Sequence, residues 1–355
     1  MAELNPVLLR YRGWRGSLSD NGATVTVLFG LGQFALLGLA AILTGYIQLA
    51  TLTLFMLNFS LVVRSRAWPV ARIAIEQLFC RRLFWGLYGL SLTVFLMYFF
   101  GQYLMSWAQN QLGESEVRVG AVGKVNPKWL LDFLRNALKF NGSAEMFRNF
   151  FWYETNSVMI TLALSGSVLI GNDLRHGSLS FYLSKPLERW HYLLGKGLAV
   201  TGFLNLFTTL PAIVLFVQFG LLESWDYFAD HSQLLFGIVA YGLVLSIHLT
   251  VILLALASWL RNTVPLVMAW MTLFAFAQGV SSALVDGLHY SPRWRLVDMW
   301  NCTFLIGNHL LSVPSEAIRP APQPPVGEAA LVLGLVGFLC LTLLILRVRA
   351  VEVVS

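Results

Sequence analysis

The chain has 355 residues, 57% of them hydrophobic and 12% charged, with a formal net charge of +6 and a mean hydropathy of +0.68. So few polar groups cannot clothe a water-soluble globule of this length, which places the chain among polytopic membrane proteins. The basic excess does not indicate a nucleic-acid partner, because Lys and Arg sit mostly at the edges of apolar segments, as the positive-inside bias requires.

The amino-terminal stretch carries Glu3 and then Arg10, Arg12 and Arg15 before any apolar run begins, so no cleaved signal peptide is expected. A span needs about 20 apolar residues to cross a hydrocarbon layer of about 30 Å. The run 23–63 is too long for one span, since a single helix would extend roughly 60 Å at about 1.5 Å per residue. A turn near Thr44-Gly45 splits it into two short spans, with the arginines that flank it (Arg10, Arg12, Arg15; Arg64, Arg66) on one side. A re-entrant hairpin satisfies the same charges.

Further spans are expected at 83–107, 150–170, 197–222, 234–260, 263–284 and 329–346, giving about eight in all. The expected fold is therefore an all-α polytopic membrane protein. A cytosolic segment 1–22 precedes the hydrophobic hairpin 23–63, a six-helix core occupies 64–350, and 351–355 is a tail. With both termini in the cytosol, the segments 64–82, 171–196, 261–262 and 347–355 face inward, and the loops 108–149, 223–233 and 285–328 face outward. Each short inner segment then carries a basic residue, consistent with a cytoplasmic membrane.

The outer loop 108–149 has structure of its own. Asn126-Pro127 supplies an N-cap and a proline at the first helical position, and Asn141-Gly142 supplies the stop. Between them Lys128, Asp132, Arg135 and Lys139 share one stripe, and Trp129, Leu130, Phe133, Leu134, Ala137 and Leu138 fill the other side. This amphipathic helix belongs on the outer leaflet or over the ends of the spans, where it could also act as a lid. The loop 285–328 is aromatic early, at Tyr290, Trp294 and Trp300, and its last third, with Pro314, Pro320, Pro322, Pro324 and Pro325, reads as an extended linker.

Catalytic signatures are missing. Gly123-Lys124 and Gly195-Lys196 lack the upstream glycine and following hydroxyl of a phosphate-binding loop. The six histidines make no H-E-x-x-H and no i, i+4 pair, and Cys80, Cys302 and Cys340 form no CxxC, so neither a metal nor a disulfide framework is suggested. Asn141-Gly-Ser143 and Asn301-Cys-Thr303 match a glycosylation acceptor, a tripeptide that arises often by chance. Asp173, His176, Glu188 and His191 come nearest to an acid–base cluster, but they lie in a charged turn that reads better as solvated.

Within the spans His248 stands out. It is either a substrate contact or a histidine bonded to a neighbouring helix, with a bonded histidine the better reading. Glu154, Asn205 and Gln278 raise the same question for a substrate path. The aromatics Phe99, Phe100, Trp107, Phe150, Phe151, Trp152 and Tyr153 read as an interfacial belt.

The segment 171–196 joins two spans, is longer than a turn and carries both charge signs, so a soluble partner could grip it. Its order of residues is Asp173, His176-Gly177-Ser178-Leu179, Leu183-Ser184-Lys185-Pro186-Leu187, Arg189 and Tyr192-Leu193-Leu194-Gly195-Lys196. This resembles the coupling segment of ABC-type export permeases of the second class, or type V exporters, with an acidic residue, Gly-Thr-Leu, Pro-x-x-Arg and Leu-x-Gly-Lys. Asn5-Pro6-Val7-Leu8-Leu9-Arg10 also resembles the opening of such permeases, and 72–82 is similar to their connecting helix on the cytosolic face. The resemblance covers roughly residues 65–350. The chain departs from the pattern in Asp173 for glutamate, in the long outer loop before the last span and in the hairpin 23–63.

The resemblance implies the membrane half of an ATP-driven exporter. It has no ATPase site or cofactor of its own, and ATP and Mg are bound by a partner ATP-binding subunit. A second permease chain, identical or different, would pair with it in the lipid, and accessory proteins could meet the outer loops. The same resemblance assigns coupling to Asp173, Arg175, Gly177, Pro186, Arg189, Gly195 and Lys196, with Arg72, Glu76, Arg81 and Arg82 as further contacts. Apolar, aromatic-rich spans favour an amphipathic or lipid-like cargo. The rival readings are a non-transporting membrane anchor with the same fold, a membrane-embedded lipid or sugar transferase, and a secondary transporter, for which no inverted repeat is seen.

Overall fold

The first helix of the computed structural model that can be described, α1 (Trp68–Phe79), opens on Trp68-Pro69, where the fixed φ of proline suits a first turn. The described residues are 67–79, 82–111, 117–119, 123–137, 139–166, 189–260, 262–318 and 320–347. The contacts discussed below lie within Val70–Ser355. The hairpin 23–63, both termini and most of 171–196 lie outside the described residues.

On α1, Val70, Ala71 and Ala74 are buried, and Arg72 and Glu76 form an exposed ion pair at 2.9 Å one turn apart. Trp85 Nε1 donates to the Phe79 carbonyl at 3.0 Å, tying the first turn of α2 (Arg82–Asn110) to the last residue of α1. A short antiparallel ribbon follows, β1 (Val117–Val119) with β2 (Gly123–Val125). Next comes α3 (Pro127–Asp132), whose Asn126 cap accepts from the Lys128 amide, and α3 runs on into a π turn, Phe133–Ala137. Its expected apolar face divides: Leu130 and Leu134 are buried, while Trp129 (60% exposed) and Phe133 stack outside with ring centroids 5.5 Å apart. One neighbouring helix, α2, covers only one of the two adjacent apolar stripes.

Gly142 takes a φ of +65°, with the Phe219 ring against it and the Tyr227 hydroxyl donating to its carbonyl at 2.7 Å. This turn launches α4 (Ala144–Gly166). A long apolar stretch, His191–Glu223, then divides into α5 (Arg189–Phe207) and α6 (Thr209–Glu223). Pro211 cannot donate a hydrogen bond to the Phe207 carbonyl, which explains the break. After the single turn α7 (Asp226–Asp230) comes the central helix α8 (Ser232–Trp259). The segments α9 (Thr263–Met271) and α10 (Ala277–Ser282) are joined by the π turn Thr272–Phe276, and a second π turn, Ala283–Gly287, ends α10. A 3-10 turn (Pro292–Val297), α11 (Met299–Leu310) and α12 (Val326–Arg347) complete the chain.

Among the described residues five helical stretches are long and apolar enough to cross a membrane: Tyr88–Asn110, His191–Glu223, Ser232–Trp259, Val264–Gly287 and Val326–Leu346. The chain is thus a helical membrane protein. The expected span 150–170 corresponds to α4, which starts six residues earlier than expected and carries Glu145, Arg148 and Glu154. It is not among the five.

Side-chain contacts fix the helix directions. Tyr98 meets Phe150 (5.4 Å between rings) while Ser91 bonds Glu154, so α2 and α4 are antiparallel. Thr201 meets Thr250 at 3.1 Å and Asn205 bonds Ser246 at 2.9 Å, so α5 and α8 are antiparallel. Phe151 lies 4.6 Å from Tyr241, near the starts of α4 and α8. The starts of α2 and α5 and the ends of α4 and α8 therefore share one end of the bundle, here termed basal. The ribbon, α3, α7 and α11 crowd the opposite, distal end.

In lipid, helices associate through close packing and interhelical hydrogen bonds rather than apolar burial. The central helix α8 follows this rule. A Cβ at Gly237 would strike the Leu310 carbonyl, one at Gly307 the Tyr241 ring, and one at Gly242 the Thr209 side chain. The residues Phe150 and Phe151, expected in an interfacial belt, are instead fully buried against Tyr98 and Tyr241. The loop 285–328 holds a helix, and its last third, expected as an extended linker, is bonded to the rest of the bundle. Its α11 is buried over most of its surface, and its prolines are strapped down. Arg295 Nε donates to the Pro322 carbonyl (2.9 Å), Asn301 Nδ2 to Gln323 Oε1 (2.9 Å) and Arg148 Nη1 to the Ala317 carbonyl (2.7 Å).

Candidate functional site

The residues assigned to coupling divide between the two sides of what is described. Asp173, Arg175, Gly177, Pro186 and Arg81 lie outside the described residues. Arg82 and Arg189 open α2 and α5, both at the basal end. The Arg72–Glu76 pair is exposed on α1 just before α2. Gly195 and Lys196 do not lie in a loop: the segment 189–196 forms the first two turns of α5. Lys196 is 1% exposed, with its Nζ 5.9 Å from the Tyr192 ring centroid.

The four residues considered for a substrate path are not brought to one place by the contacts. Asn205 is spent within the α5–α8 seam: its Nδ2 reaches Ser246 Oγ (2.9 Å) and the Thr201 carbonyl (2.8 Å), and its Oδ1 accepts from Thr209 Oγ1 at 2.6 Å. Glu154 is buried on α4, with one carboxylate oxygen taken by Ser91 and Oε2 without a partner among the described residues. His248 is buried on α8, and its Nε2 likewise has no partner among the described residues, so the expected helix-to-helix bond does not use that nitrogen. His248 lies two positions beyond Ser246, about 200° around a helix, so it faces away from the Asn205 seam. Gln278 is elsewhere again, at the distal end.

There Gln278 helps to line a cavity of about 40 Å³. One wall is aromatic, built from Trp152, Trp300 and Phe304. The Trp152 ring lies 5.5 Å from Trp300 and 5.1 Å from Phe304. The other wall is polar, built from Arg295, Asp298 and Asn301, all buried. Two neighbouring devices hold these groups. Arg295, 2% exposed, donates Nη2 to Asp286 Oδ1 at 2.6 Å. Asp298 is the N-cap of α11, its Oδ1 accepting from the Trp300 amide (2.9 Å) and the Asn301 amide (3.2 Å).

Burial pushes the Asp298 carboxyl up to about 6, against the opposing pull of the Asn301 and Trp300 amides and the charge of Arg295. Burial, with the Asp298 charge behind it, pushes the Cys302 thiol up to about 12, which removes a reactive thiolate from the neighbourhood. No group of three or more metal-ligating side chains occurs among the described residues. Sequence reasoning missed Arg295, Asp298 and Asn301. The legible signal was Asp298 directly before an apolar run, an N-cap signature inside what reads as a loop.

No known family model matches the chain, and no curated protein is similar to it.

Proposed function

We propose that this chain is the membrane-spanning permease subunit of an ATP-driven exporter of the second ABC export class. It would carry about eight spans when the hairpin 23–63 is counted and have its termini in the cytosol. It would bind no nucleotide itself; a partner ATP-binding subunit would close on ATP, and a second permease chain would complete the path for an amphipathic or lipid-like cargo.

The observation that carries this reading is the basal end. A short helix with an exposed Arg72–Glu76 pair, the first turn of α5 at Arg189 and the end of α4 before the charged stretch 167–188 all lie on one side. That arrangement gives a soluble motor protein two places to push, and the Thr201–Thr250 and Asn205–Ser246 bonds tie α5 to α8, so a displacement of α5 moves the central helix with it.

The test is purification of the tagged chain in mild detergent with its associated proteins, followed by an ATPase assay. A stoichiometric nucleotide-binding subunit is expected, with Asp173→Lys and Arg189→Glu abolishing transport-linked ATPase activity while membrane insertion is retained. A chain that purifies alone with no ATPase activity, or variants with unchanged coupled activity, would sink the proposal.

A further inference from the structure

The distal cavity has no part in coupling to an ATPase, yet it combines features that a packing defect would lack. Its volume of about 40 Å³ exceeds the roughly 15 Å³ that one water requires, so it admits a small functional group rather than a whole drug-sized ligand. Two buried charged side chains line it, and they differ in what they have left to give. Arg295 is engaged by Asp286 and by the Pro322 carbonyl. Asp298 is 3% exposed, and among the described residues no hydrogen bond or ion pair reaches its Oδ2.

Asn301 repeats the pattern. Its Nδ2 is spent on Gln323 Oε1, which leaves the amide oxygen to accept. The polar wall thus offers acceptors, one of them a carboxylate, while the aromatic wall is built from the rings of Trp152, Trp300 and Phe304. An anion entering here would meet Asp298. A neutral hydroxyl would satisfy one acceptor and gain nothing from the rings. A cation with N–H groups satisfies both walls, because aromatic faces attract positive charge and the attraction rises when water is excluded.

We propose that this cavity is a seat for an ammonium group, held by Asp298 and Asn301 against Trp152 and Trp300. The seat lies at the distal end of the bundle, beside the last turns of an apolar helix at Gln278 and Ser282, where the amino headgroup of a lipid and a soluble amine can both arrive. Occupancy needs neither ATP nor a partner subunit.

The experiment places the purified full chain in nanodiscs of phosphatidylcholine and titrates ethanolamine at pH 7.5 by calorimetry, with ethylene glycol as the uncharged control. Saturable binding of ethanolamine is expected, with none of ethylene glycol. Asp298→Asn keeps the cap of α11 and should weaken binding at least about thirty-fold, equivalent to about 2 kcal/mol. Ser282→Trp fills the cavity from α10 and should abolish binding even if Asp298→Asn proves too unstable to purify. Nanodiscs of phosphatidylethanolamine then separate the sources: competition with ethanolamine assigns the seat to the lipid headgroup, and an unchanged affinity assigns it to a soluble amine. Absence of saturable binding to the wild-type chain, or equal affinity in folded Asp298→Asn and in Ser282→Trp, overturns the proposal.

Discussion

The Arg295–Asp286 pair should respond unequally to loss of its two members. Arg295 is 2% exposed and permanently charged, whereas the Asp286 side chain is 45% exposed. Asp286→Asn leaves a buried guanidinium facing a neutral amide, with only Asp298 to offset its charge. Two unit charges at close range near a protein surface interact by about 4 kcal/mol, and partial exposure of Asp286 with help from Asp298 brings the expected cost to roughly 2–3 kcal/mol. Arg295→Met has a different outcome. The carboxylate left behind can turn to water, the Pro322 carbonyl is exposed enough to do the same, and the methionine fills much of the vacated space, so the expected cost is about 1 kcal/mol.

The double variant should cost no more than Arg295→Met alone, because no buried charge remains to be left unpaired. Reversible unfolding in mixed micelles, followed by the fluorescence of the distal tryptophans, reads all three. If Arg295→Met proves as damaging as Asp286→Asn, or if the two costs add, then buried charge does not hold the distal module together and the strap over α11 is held by packing.

Three other outcomes are expected. Gly242→Val drives a side chain into Thr209 and should cost a few kcal/mol, with partial recovery in Gly242→Val/Thr209→Ala; a tolerated single variant means that the start of α6 does not approach α8 closely. Ser91→Ala strips Glu154 of the hydrogen bond to one carboxylate oxygen and should destabilise the fold by about 1–3 kcal/mol, whereas Glu154→Gln, which can still bond Ser91, should cost less in the same unfolding assay. Because the folded chain holds the Asp298 proton up to about pH 6 against an ordinary 3.8, this group's contribution to stability is full below 3.8 and is lost as pH rises through about 6. The shift corresponds to roughly 3 kcal/mol at most, and Asp298→Asn should flatten that section of the stability curve; an unaltered curve excludes Asp298 as its source.

The spans were legible because a long apolar run has few other fates, and the edges of α2, α8 and α12 fall within a few residues of where hydropathy puts them. What hid α11 was composition. Asn301, Thr303 and Asn308 interrupt its apolar pattern, yet each is buried, Thr303 and Asn308 bonding the carbonyls four residues back at Met299 and Phe304. A helix that satisfies its own polar side chains does not need an amphipathic period. The break between α5 and α6 was in principle visible at Pro211. The distal cavity was not, because Trp152, Gln278 and Arg295 are far apart in sequence and only the packing of α4, α10 and the 3-10 turn brings them together. Lys196 differs in another way: hydropathy sets it just before a span, whereas α5 starts at Arg189 and Lys196 lies within that helix, 1% exposed.

The distribution of polar capacity separates the parts of the bundle that hold the fold from those that can do more. Along the α5–α8 seam each polar group is matched, Thr201 with Thr250 and Asn205 with Ser246 and Thr209, so the seam can serve as a stiff transmission element but has little left for a ligand. Glu154 and His248 each keep an unmatched atom among the described residues, but each offers only that one contact. Recognition needs several directed contacts converging on one volume. Among the described residues the distal cavity meets that condition, with the Asp298 carboxylate, the Asn301 amide and the aromatic wall around one space. A chain driven from its basal end and selective at its distal end would need this division: matched polar pairs along the helices that transmit motion, and unmatched ones where a ligand can complete them.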